Sequence, residues 1–241
     1  MEGNIIRDNK RSEPAAWASS APRAKRYMDI PWVSNEHAKL CDVNQPPAPG
    51  ASAQLRSKDP DAIIPTVMSI LNMAAKMAAT SAKKFAVAMD IDATVLLPDD
   101  RFKTQCGARH NTPIQKVFQQ CVDYGIPVYF ITAREDSKEG YEFAEQQLKC
   151  LNYGAHAGIF MRPKTTRTWP NISRFKQNCR VNIKEKGYEV VLMIGDAWTD
   201  VVAVKNDEEI SRLEKADNTK YWLFQCTAEP GITHWMLKLP A

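Results

Sequence analysis

The chain has 241 residues, of which 44% are apolar, and its 32 Lys and Arg against 28 Asp and Glu leave a net charge of +4. This length and apolar content suffice for one α/β domain with its own core and leave room for a further segment. The positive surplus is +2 in residues 1–60 and +2 in residues 61–241. The chain therefore has no basic tail or stripe of the kind that is typical of nucleic-acid binding.

The chain begins without an apolar stretch long enough for a signal peptide. It has no run of about 20 apolar residues, the length that predicts a membrane span. The cysteines contain no C-x-x-C pair, which argues against zinc ribbons and dithiol redox sites, and in a chain without a leader we expect no disulfides. We therefore predict a cytoplasmic protein that does not bind a membrane. The six cysteines are Cys41, Cys106, Cys121, Cys150, Cys179 and Cys226.

Residues 1–60 differ in composition from the rest of the chain. They hold 7 of the 15 prolines, and their apolar residues follow no sustained period. Such a segment buries too little apolar surface to offset its chain entropy. We predict that residues 1–60 are irregular and that residues 61–241 form the folded domain. A docking arm for a partner is the alternative for the first segment.

The predicted domain opens with a helix over residues 62–80, because apolar side chains recur there at helical spacing. Its methionines are the type of residue that fills irregular gaps in a core. The predicted buried stripe consists of Val67, Ile70, Leu71, Met73, Ala74 and Met77.

Short apolar runs then alternate with amphipathic segments. The predicted strands are residues 85–91, 126–132, 157–161, 190–194 and 222–225, and the predicted helices are residues 112–124, 137–151 and 173–186. This rhythm predicts an α/β fold, a Rossmann-like three-layer sandwich in which a mostly parallel sheet carries helices on both faces. In such folds the active site lies beyond the carboxyl ends of the strands.

Polar residues follow three of the predicted strands at that edge. Asp90 and Asp92 come after the first strand, Thr132 ends the second, and Asp196 and Asp200 follow the fourth. Each alone could cap a helix or lie on a solvated loop. Together, four converging carboxylates repel one another unless a cation lies between them. Oxygen ligands of this kind suit Mg²⁺, which keeps several waters and also binds substrate phosphate.

The same residues resemble the four-motif signature of the haloacid dehalogenase (HAD) phosphatases: Asp-x-Asp-x-Thr, a strand-terminal Thr, a Lys, and Gly-Asp-x-x-x-Asp. The segments AMDIDATVL, YGIPVYFITARED and FKQNCRVNIKEKGYEVVLMIGDAWTD resemble the class B and class C acid phosphatases and their plant vegetative-storage-like relatives. Lys176 lies eleven residues before Gly187-Tyr188, as is frequent in that group. The resemblance covers approximately residues 62–226.

The resemblance implies a role for each matching position. Asp90 would be the nucleophile that forms an aspartyl-phosphate, and Asp92 the general acid and base, with its backbone carbonyl on the metal. Thr132 would donate a hydrogen bond to the transferring phosphoryl group, and Lys176 would balance its negative charge.

The metal and substrate contacts follow in the same way. Asp196 would bind Mg²⁺ directly, with Asp200 completing or supporting a shell that also includes Asp90 and Asp92. Ala133 and Arg134 follow Thr132 and would contact substrate phosphate, although Arg134 could equally brace the loop. One departure is Ala93, which stands where the acid phosphatases usually have Glu.

The two windows in which HAD proteins insert a cap, residues 96–111 and 158–173, are short here. We therefore expect a minimal cap and an open site, unless a homo-oligomer supplies the missing wall. The implied function is a Mg²⁺-dependent phosphomonoesterase for small phosphorylated molecules. The alternatives are a phosphatase for nucleic-acid ends or phosphoproteins, a phosphotransferase, and a non-catalytic storage or binding protein.

Overall fold

The computed structural model describes residues 53–101, 103, 106–202, 206–214, 219–229 and 232–240. Most of the segment that we predicted to be irregular, residues 1–52, lies outside this part of the chain. Its last residues do not fit that prediction. Ala53–Ser57 form an edge strand that pairs antiparallel with a later strand, so the folded part begins before the predicted boundary at residue 61.

The described residues form one seven-stranded sheet. Its strands are β1 (Ala53–Ser57), β2 (Lys84–Met89), β3 (Val128–Glu135), β4 (Gly158–Arg162), β5 (Tyr188–Gly195), β6 (Tyr221–Glu229) and β7 (Ile232–Lys238). Their order across the sheet is β1-β6-β7-β5-β2-β3-β4. The five strands from β7 to β4 run parallel, and of the described strands β6 alone runs in the opposite direction to the rest. The predicted mostly parallel sheet is confirmed.

Helices cover both faces of this sheet. They are α1 (Ile64–Thr80), α2 (Thr112–Asp123), α3 (Lys138–Cys150), α4 (Trp169–Glu185), α5 (Trp198–Val201) and α6 (Asp207–Glu214). Alternate residues of each central strand enter opposite cores: Val87 and Met89 pack with α1, α2 and α3, whereas Ala86 and Ala88 pack with α4, α5 and α6. Strands that are buried on both faces read as continuous apolar runs, which is why the sequence identified them. The three-layer sandwich is confirmed.

Helix α1 buries a narrower stripe than its sequence predicted. Val67, Ile70, Leu71 and Ala74 are buried, but Met73 and Met77 are 46% and 39% exposed. The two methionines lie beyond the edge of the stripe that contacts the sheet. By length and composition alone, Pro60–Thr80 would suffice to cross a membrane, and 33% of that window is buried inside the fold. A helix packed on a core passes the same test, so this finding is weak evidence for a membrane span.

The C-terminal part of the sheet departs most from the prediction. The fifth predicted strand, residues 222–225, lies in the first half of the longer β6. We did not predict β7 from the sequence, although β7 lies next to β5 near the centre of the sheet. Its signals are weak because Thr233 and His234 interrupt the apolar run. The Pro230-Gly231 pair that joins β6 to β7 is a turn signal that would have predicted a hairpin.

The cysteines also differ from expectation, because Cys106 and Cys150 form a disulfide. This bond ties the loop that follows β2 to the last residue of α3 and closes a sequence separation of 44 residues. Cys121 and Cys179 are free and buried. Disulfides persist mainly in oxidising compartments, so this bond departs from the expectation that the chain forms none.

Reduction of this disulfide should destabilise the fold. Because the bond restricts the unfolded chain, we expect the free energy of unfolding to fall by about 2–4 kcal/mol in reductant, as measured by urea unfolding. A Cys106→Ser/Cys150→Ser variant should show the lower stability with and without reductant. An unfolding midpoint of the parent protein that does not respond to reductant would contradict the assignment.

Candidate active site

The predicted site residues meet at the carboxyl ends of three neighbouring strands. Asp90 directly follows β2 and is 6% exposed, and Asp196 directly follows β5. The Asp90 N–H donates to the carbonyl of Ile194 at 2.9 Å, so the parallel pairing of β2 and β5 holds the two chain segments side by side. Thr132 in β3 lies on the other side of β2 and is fully buried. The sheet order therefore brings these residues together, as the sequence predicted.

A buried lysine joins the carboxylates of this edge. Lys176 in α4 is 3% exposed, and its ammonium donates to Asp90 Oδ1 at 2.8 Å and to Asp200 Oδ1. Burial alone would lower the pKa of Lys176, but the carboxylates of Asp200 and Asp90 outweigh burial and raise it. The lysine is therefore a fixed positive charge beside Asp90.

Three carboxylates of this edge form a compact acidic cluster. Ligand oxygens of Asp90, Asp196 and Asp200 all lie within 4.8 Å of one another. Burial raises the pKa of Asp90 well above its usual range; Lys176 opposes this effect and the other carboxylates add to it. Burial and the Asp200 carboxylate likewise raise the pKa of Asp196 to about 6. These shifts express the cost of several buried charges of one sign, which a divalent cation would relieve.

The donor set fits a hard divalent cation. All of its atoms are carboxylate oxygens, and the three carboxylates outnumber the Lys176 ammonium that contacts two of them. Oxygen ligands in an open arrangement suit Mg²⁺, which retains waters and accepts substrate phosphate. The geometry supports a metal site here without fixing which metal it takes.

Asp200 is held more tightly than a free ligand would be. Its Oδ1 accepts from Lys176, and its Oδ2 accepts from the Ala197 N–H at 2.9 Å. With both oxygens engaged, Asp200 favours the supporting role of the two that the sequence left open. Gly195 makes this position accessible, because a Cβ there would overlap Cβ and Oδ2 of Asp200.

Thr94 is a contributor that the sequence did not assign to a role. Its hydroxyl oxygen accepts from the Asp196 N–H at 3.0 Å, and its Oγ1 lies 3.4 Å from Asp196 Oδ1. Between Asp92 and Thr94 the chain turns through Ala93, whose φ is +57°. Left-handed backbone costs a non-glycine residue about 1–2 kcal/mol, and such strain is frequent at functional sites. The turn connects the β2 carboxylates to the β5 loop.

Asp92 lies outside the acidic cluster. Its carboxylate accepts from Arg134 Nη2 at 2.7 Å and from Arg134 Nε at 3.0 Å and 3.2 Å. Arg134 in turn donates to Gln147 Oε1 at 2.7 Å. Of the two roles left open for Arg134, bracing is the one that this geometry favours. The Asp92 side chain is not among the grouped ligand atoms, so the part proposed for it at the metal is limited to its backbone carbonyl.

The residues beside Arg134 stabilise the end of β3. Thr132 Oγ1 accepts from the Arg134 N–H at 3.2 Å, and the Ala133 carbonyl accepts from Arg162 Nε at 2.7 Å. These contacts leave the Thr132 hydroxyl hydrogen available as a donor, which is the role that the resemblance implied. Ala133 is half-buried.

The short loop after β2 is anchored at several points. The buried Asp100 accepts from the Arg109 N–H at 2.6 Å and from Arg109 Nε at 2.9 Å, and it forms an ion pair with Lys103 at 2.5 Å. Hydrogen bonds from Arg109 and Lys103 lower the pKa of Asp100 below its usual range. Buried Gln147 donates from its amide nitrogen to the carbonyl of Lys103 at 3.1 Å. This segment is thus a fixed rim of the site, as expected of a minimal cap.

Lys238 is a second buried cation near the acidic cluster, and we did not identify it from the sequence. It lies on β7 opposite Gly195, is 1% exposed, and donates to the carbonyl of Leu239 at 2.6 Å. Burial lowers the pKa of Lys238, and the charges of Asp196 and Asp200 partly restore it. Because β7 itself was missed, its position beside β5 could not be anticipated.

Comparison with protein families matches residues 99–223 to the HAD superfamily, subfamily IIIB (acid phosphatase). The match spans 125 of the 241 residues and includes Thr132, Lys176, Asp196 and Asp200. It begins after Asp90 and Asp92, so those two positions depend on the motif and on the geometry described above.

Individual relatives are distant. The stem 28 kDa glycoprotein of Glycine max is 26% identical over 108 residues, an alignment that spans 45% of this chain and 41% of the relative, less than half its length. A class C acid phosphatase from Bacillus anthracis, solved with tungstate bound, is 15% identical with a TM-score of 0.46 and covers 74% of this chain and 76% of its own. A chain of the Pnkp1/Rnl/Hen1 RNA repair complex is 20% identical with a TM-score of 0.41 and covers 56% of this chain and 41% of its own.

The raised pKa of Asp196 gives a stability prediction for the metal-free protein. The native state holds a proton on Asp196 up to about pH 6, whereas the unfolded chain releases it near 3.8. This contribution to stability is present below about pH 4 and is lost as the pH rises to about 6. The free energy of unfolding of the parent, relative to Asp196→Asn, should therefore fall across this window in urea unfolding. A constant difference from about pH 4 to 7 would contradict it.

Substitution of Gly195 should disturb the acidic cluster without removing a charged group. In Gly195→Ala the added Cβ overlaps the Asp200 side chain, so Asp200 must move away from Lys176. We expect Mg²⁺ affinity, measured by calorimetric titration, to fall by at least about tenfold, because supporting contacts orient metal ligands. Gly154→Ala is the matched control, since its added Cβ would meet only Lys149, whose exposed side chain supplies the nearest atom at 3.2 Å. Equal Mg²⁺ affinity in the parent and Gly195→Ala would show that Asp200 has no part in the site.

Proposed function

The chain belongs to the HAD superfamily, subfamily IIIB (acid phosphatase), and from this premise we propose that it is a Mg²⁺-dependent phosphomonoesterase that works through an aspartyl-phosphate on Asp90. The observation that carries the proposal is the buried contact of Lys176 with Asp90 at 2.8 Å, within a cluster that also includes Asp196 and Asp200. This contact supports a nucleophile whose negative charge, like that of the phosphate it attacks, is balanced by the Lys176 ammonium.

In the first step, a carboxylate oxygen of Asp90 attacks phosphorus and the bond between phosphorus and the ester oxygen breaks. Asp92 gives its proton to the departing alcohol oxygen, so the alcohol leaves neutral. Thr132 donates its hydroxyl hydrogen to a phosphoryl oxygen, and Lys176 offsets the negative charge that accumulates there. Positioning and charge stabilisation supply most of the rate in phosphoryl transfer.

In the second step, Asp92 takes a proton from water while the water oxygen attacks phosphorus. The bond between phosphorus and Asp90 breaks, phosphate leaves, and both carboxyl groups return to their starting states. Arg134 positions Asp92 through its hydrogen bonds of 2.7–3.2 Å. An alcohol in place of water would make the same step a phosphotransfer.

Asp90 and Asp196, with the backbone carbonyl of Asp92, are the groups that would hold Mg²⁺, and Asp200 would orient them. The ion would neutralise negative charge on the transferring phosphoryl group and align it with the nucleophile. The compact carboxylate set supports this assignment, since its raised pKa values for Asp90 and Asp196 reflect charge repulsion and burial that a cation relieves.

Small phosphate monoesters are the proposed substrates. Among the described residues, the segment between β2 and α2 that lies beside the site is short, which would also admit a nucleic-acid end or a phosphoprotein. We also include in the proposal a homo-oligomer in which a second copy of the chain supplies the missing wall of the site. Comparing phosphate release from a 3′-phosphorylated oligonucleotide, a phosphopeptide and a panel of metabolites separates these substrate classes.

Replacing the nucleophile tests the mechanism. We expect Asp90→Asn to lower kcat by at least about 10³-fold with Mg²⁺, because only binding and electrostatic effects remain once covalent attack is lost. Phosphate release from 4-nitrophenyl phosphate measures this. Asp123→Asn, an exposed carboxylate at the end of α2, is the matched control and should keep parental turnover. Parental turnover by Asp90→Asn would refute the mechanism, and no turnover by the parent on any ester would favour a binding or storage role.

A further inference from the structure

A cavity of about 290 Å³ is lined by the two arginines that contact Asp92, Arg101 and Arg134, and by no residue of the acidic cluster. Its lining includes Arg101 from the loop after β2, Arg134 from β3, Phe143 from α3 and Met161 from β4. A cavity of this size holds a small ring system and a few substituents, not a large ligand. Because these arginines contact the proposed general acid, the cavity is placed to receive part of a substrate.

Two contacts connect the cavity to the chemistry. Arg134 hydrogen-bonds the Asp92 carboxylate, and Arg101 Nε lies 3.5 Å from Asp92 Oδ2. If Asp92 protonates the ester oxygen, the rest of the alcohol must lie within a few ångströms of that carboxylate. The cavity whose two arginines both reach Asp92 is therefore the space into which the alcohol extends.

The charges of the cavity favour an anion. Arg101 and Arg134 face Asp92, and Glu135 in the lining is paired with Lys164 at 3.5 Å. These three cations and two carboxylates leave a surplus of one positive charge. Both arginines contact Asp92, but the Arg134 side chain is 9% exposed whereas the Arg101 side chain is 46% exposed. Arg101 is thus the guanidinium placed to meet a charged group on an incoming substrate.

Phe143 and Met161 form the apolar part of the lining, which also includes Ser137 and Gly140. Phe143 presents its ring, with the Arg134 guanidinium 6.0 Å from the ring centre, and Met161 adds a thioether. Aromatic rings and guanidinium planes both stack on flat ligands. A ring system in the cavity would therefore gain contact area that a short aliphatic chain would not.

The rim of the cavity is fixed in place by α3. Gln147 accepts from Arg134 and donates to the carbonyls of Arg101 and Lys103, and Cys150, one turn later, bonds Cys106 of the same loop. Contacts that fix a loop before binding reduce the entropy lost when a ligand binds. This is the arrangement expected of a specificity site.

We propose that this cavity is the leaving-group subsite and that it selects phosphate monoesters whose alcohol combines a flat ring with a second negatively charged group. Arg101 is the residue that binds the second negative charge, and Phe143 is the residue that contacts the ring. The inference rests on the proposed phosphatase function, because it assigns the alcohol side of the same substrate.

Two matched esters test the role of Arg101: 4-carboxyphenyl phosphate and 4-carbamoylphenyl phosphate, which have nearly the same shape and differ by one charge. We expect the parent to prefer the carboxylate in kcat/KM by about tenfold, the effect of one charge-assisted contact. In Arg101→Gln this preference should drop to near unity. Comparing the ratio between the two proteins cancels the different reactivities of the two leaving groups.

Lys138→Gln is the matched control for charge. Lys138 is an exposed cation in the first turn of α3 that does not line the cavity, so its loss should leave the preference intact. Phe143→Ala should lower kcat/KM for both aryl esters more than for glycerol 3-phosphate. Higher ionic strength should weaken the preference of the parent, because an exposed charge pair is screened.

The outcomes separate this inference from the function on which it rests. If both esters are hydrolysed in a reaction that Asp90→Asn abolishes, but the ratio is the same in the parent and Arg101→Gln, the subsite is wrong and the phosphatase stands. If neither ester is hydrolysed, or Asp90→Asn hydrolyses both at parental rates, the proposed function fails and the subsite falls with it.

Discussion

The ion pairs of Lys176 hold the candidate site together. A lysine that is 3% exposed loses its hydration on folding, and the carboxylates of Asp90 and Asp200 are what make its charge tolerable there. Removing one partner of such a buried set costs roughly 3–5 kcal/mol, because it leaves an uncompensated charge. The contact requires α4 to lie on the sheet at this height, β2 to lie beside β5, and Gly195 to leave space for Asp200. The ion pairs at the carboxyl edge of the sheet therefore constrain how these elements pack.

This arrangement separates two kinds of carboxylate. Asp90, Asp196 and Asp200 share a buried environment in which the pKa values of the first two are raised, and this group favours a divalent cation. Asp92 is not one of the three grouped carboxylates; Arg134 binds it, while Gln147 and the disulfide-anchored loop fix the surroundings. A nucleophile beside a cation and an acid beside the leaving group need different surroundings, and the two sides of the β2 turn supply them.

The sequence predicts those features that depend on one strand and its end. Continuous apolar runs identify β2, β3 and β5, and the rule that parallel strands end at one edge brings Asp90, Thr132 and Asp196 together. The sequence does not predict features that depend on packing between distant segments. Gln147 is one polar residue on an amphipathic helix, Lys238 belongs to a strand with an interrupted apolar run, and nothing in the spacing of Cys106 and Cys150 indicates that they pair. Met73 lies just beyond the stripe that the sheet covers, where periodicity alone does not distinguish buried from exposed side chains.

The most direct test of the account is a crystal structure of the protein soaked in Mn²⁺, with anomalous diffraction to locate the metal. Mn²⁺ accepts the same oxygen ligands as Mg²⁺, and its anomalous signal distinguishes it from water. The account predicts one strong peak at about 2.0–2.3 Å from carboxylate oxygens of Asp90 and Asp196, with Lys176 still in contact with Asp200. A peak elsewhere, or none between these two carboxylates under conditions in which Mn²⁺ supports phosphate release, would contradict it.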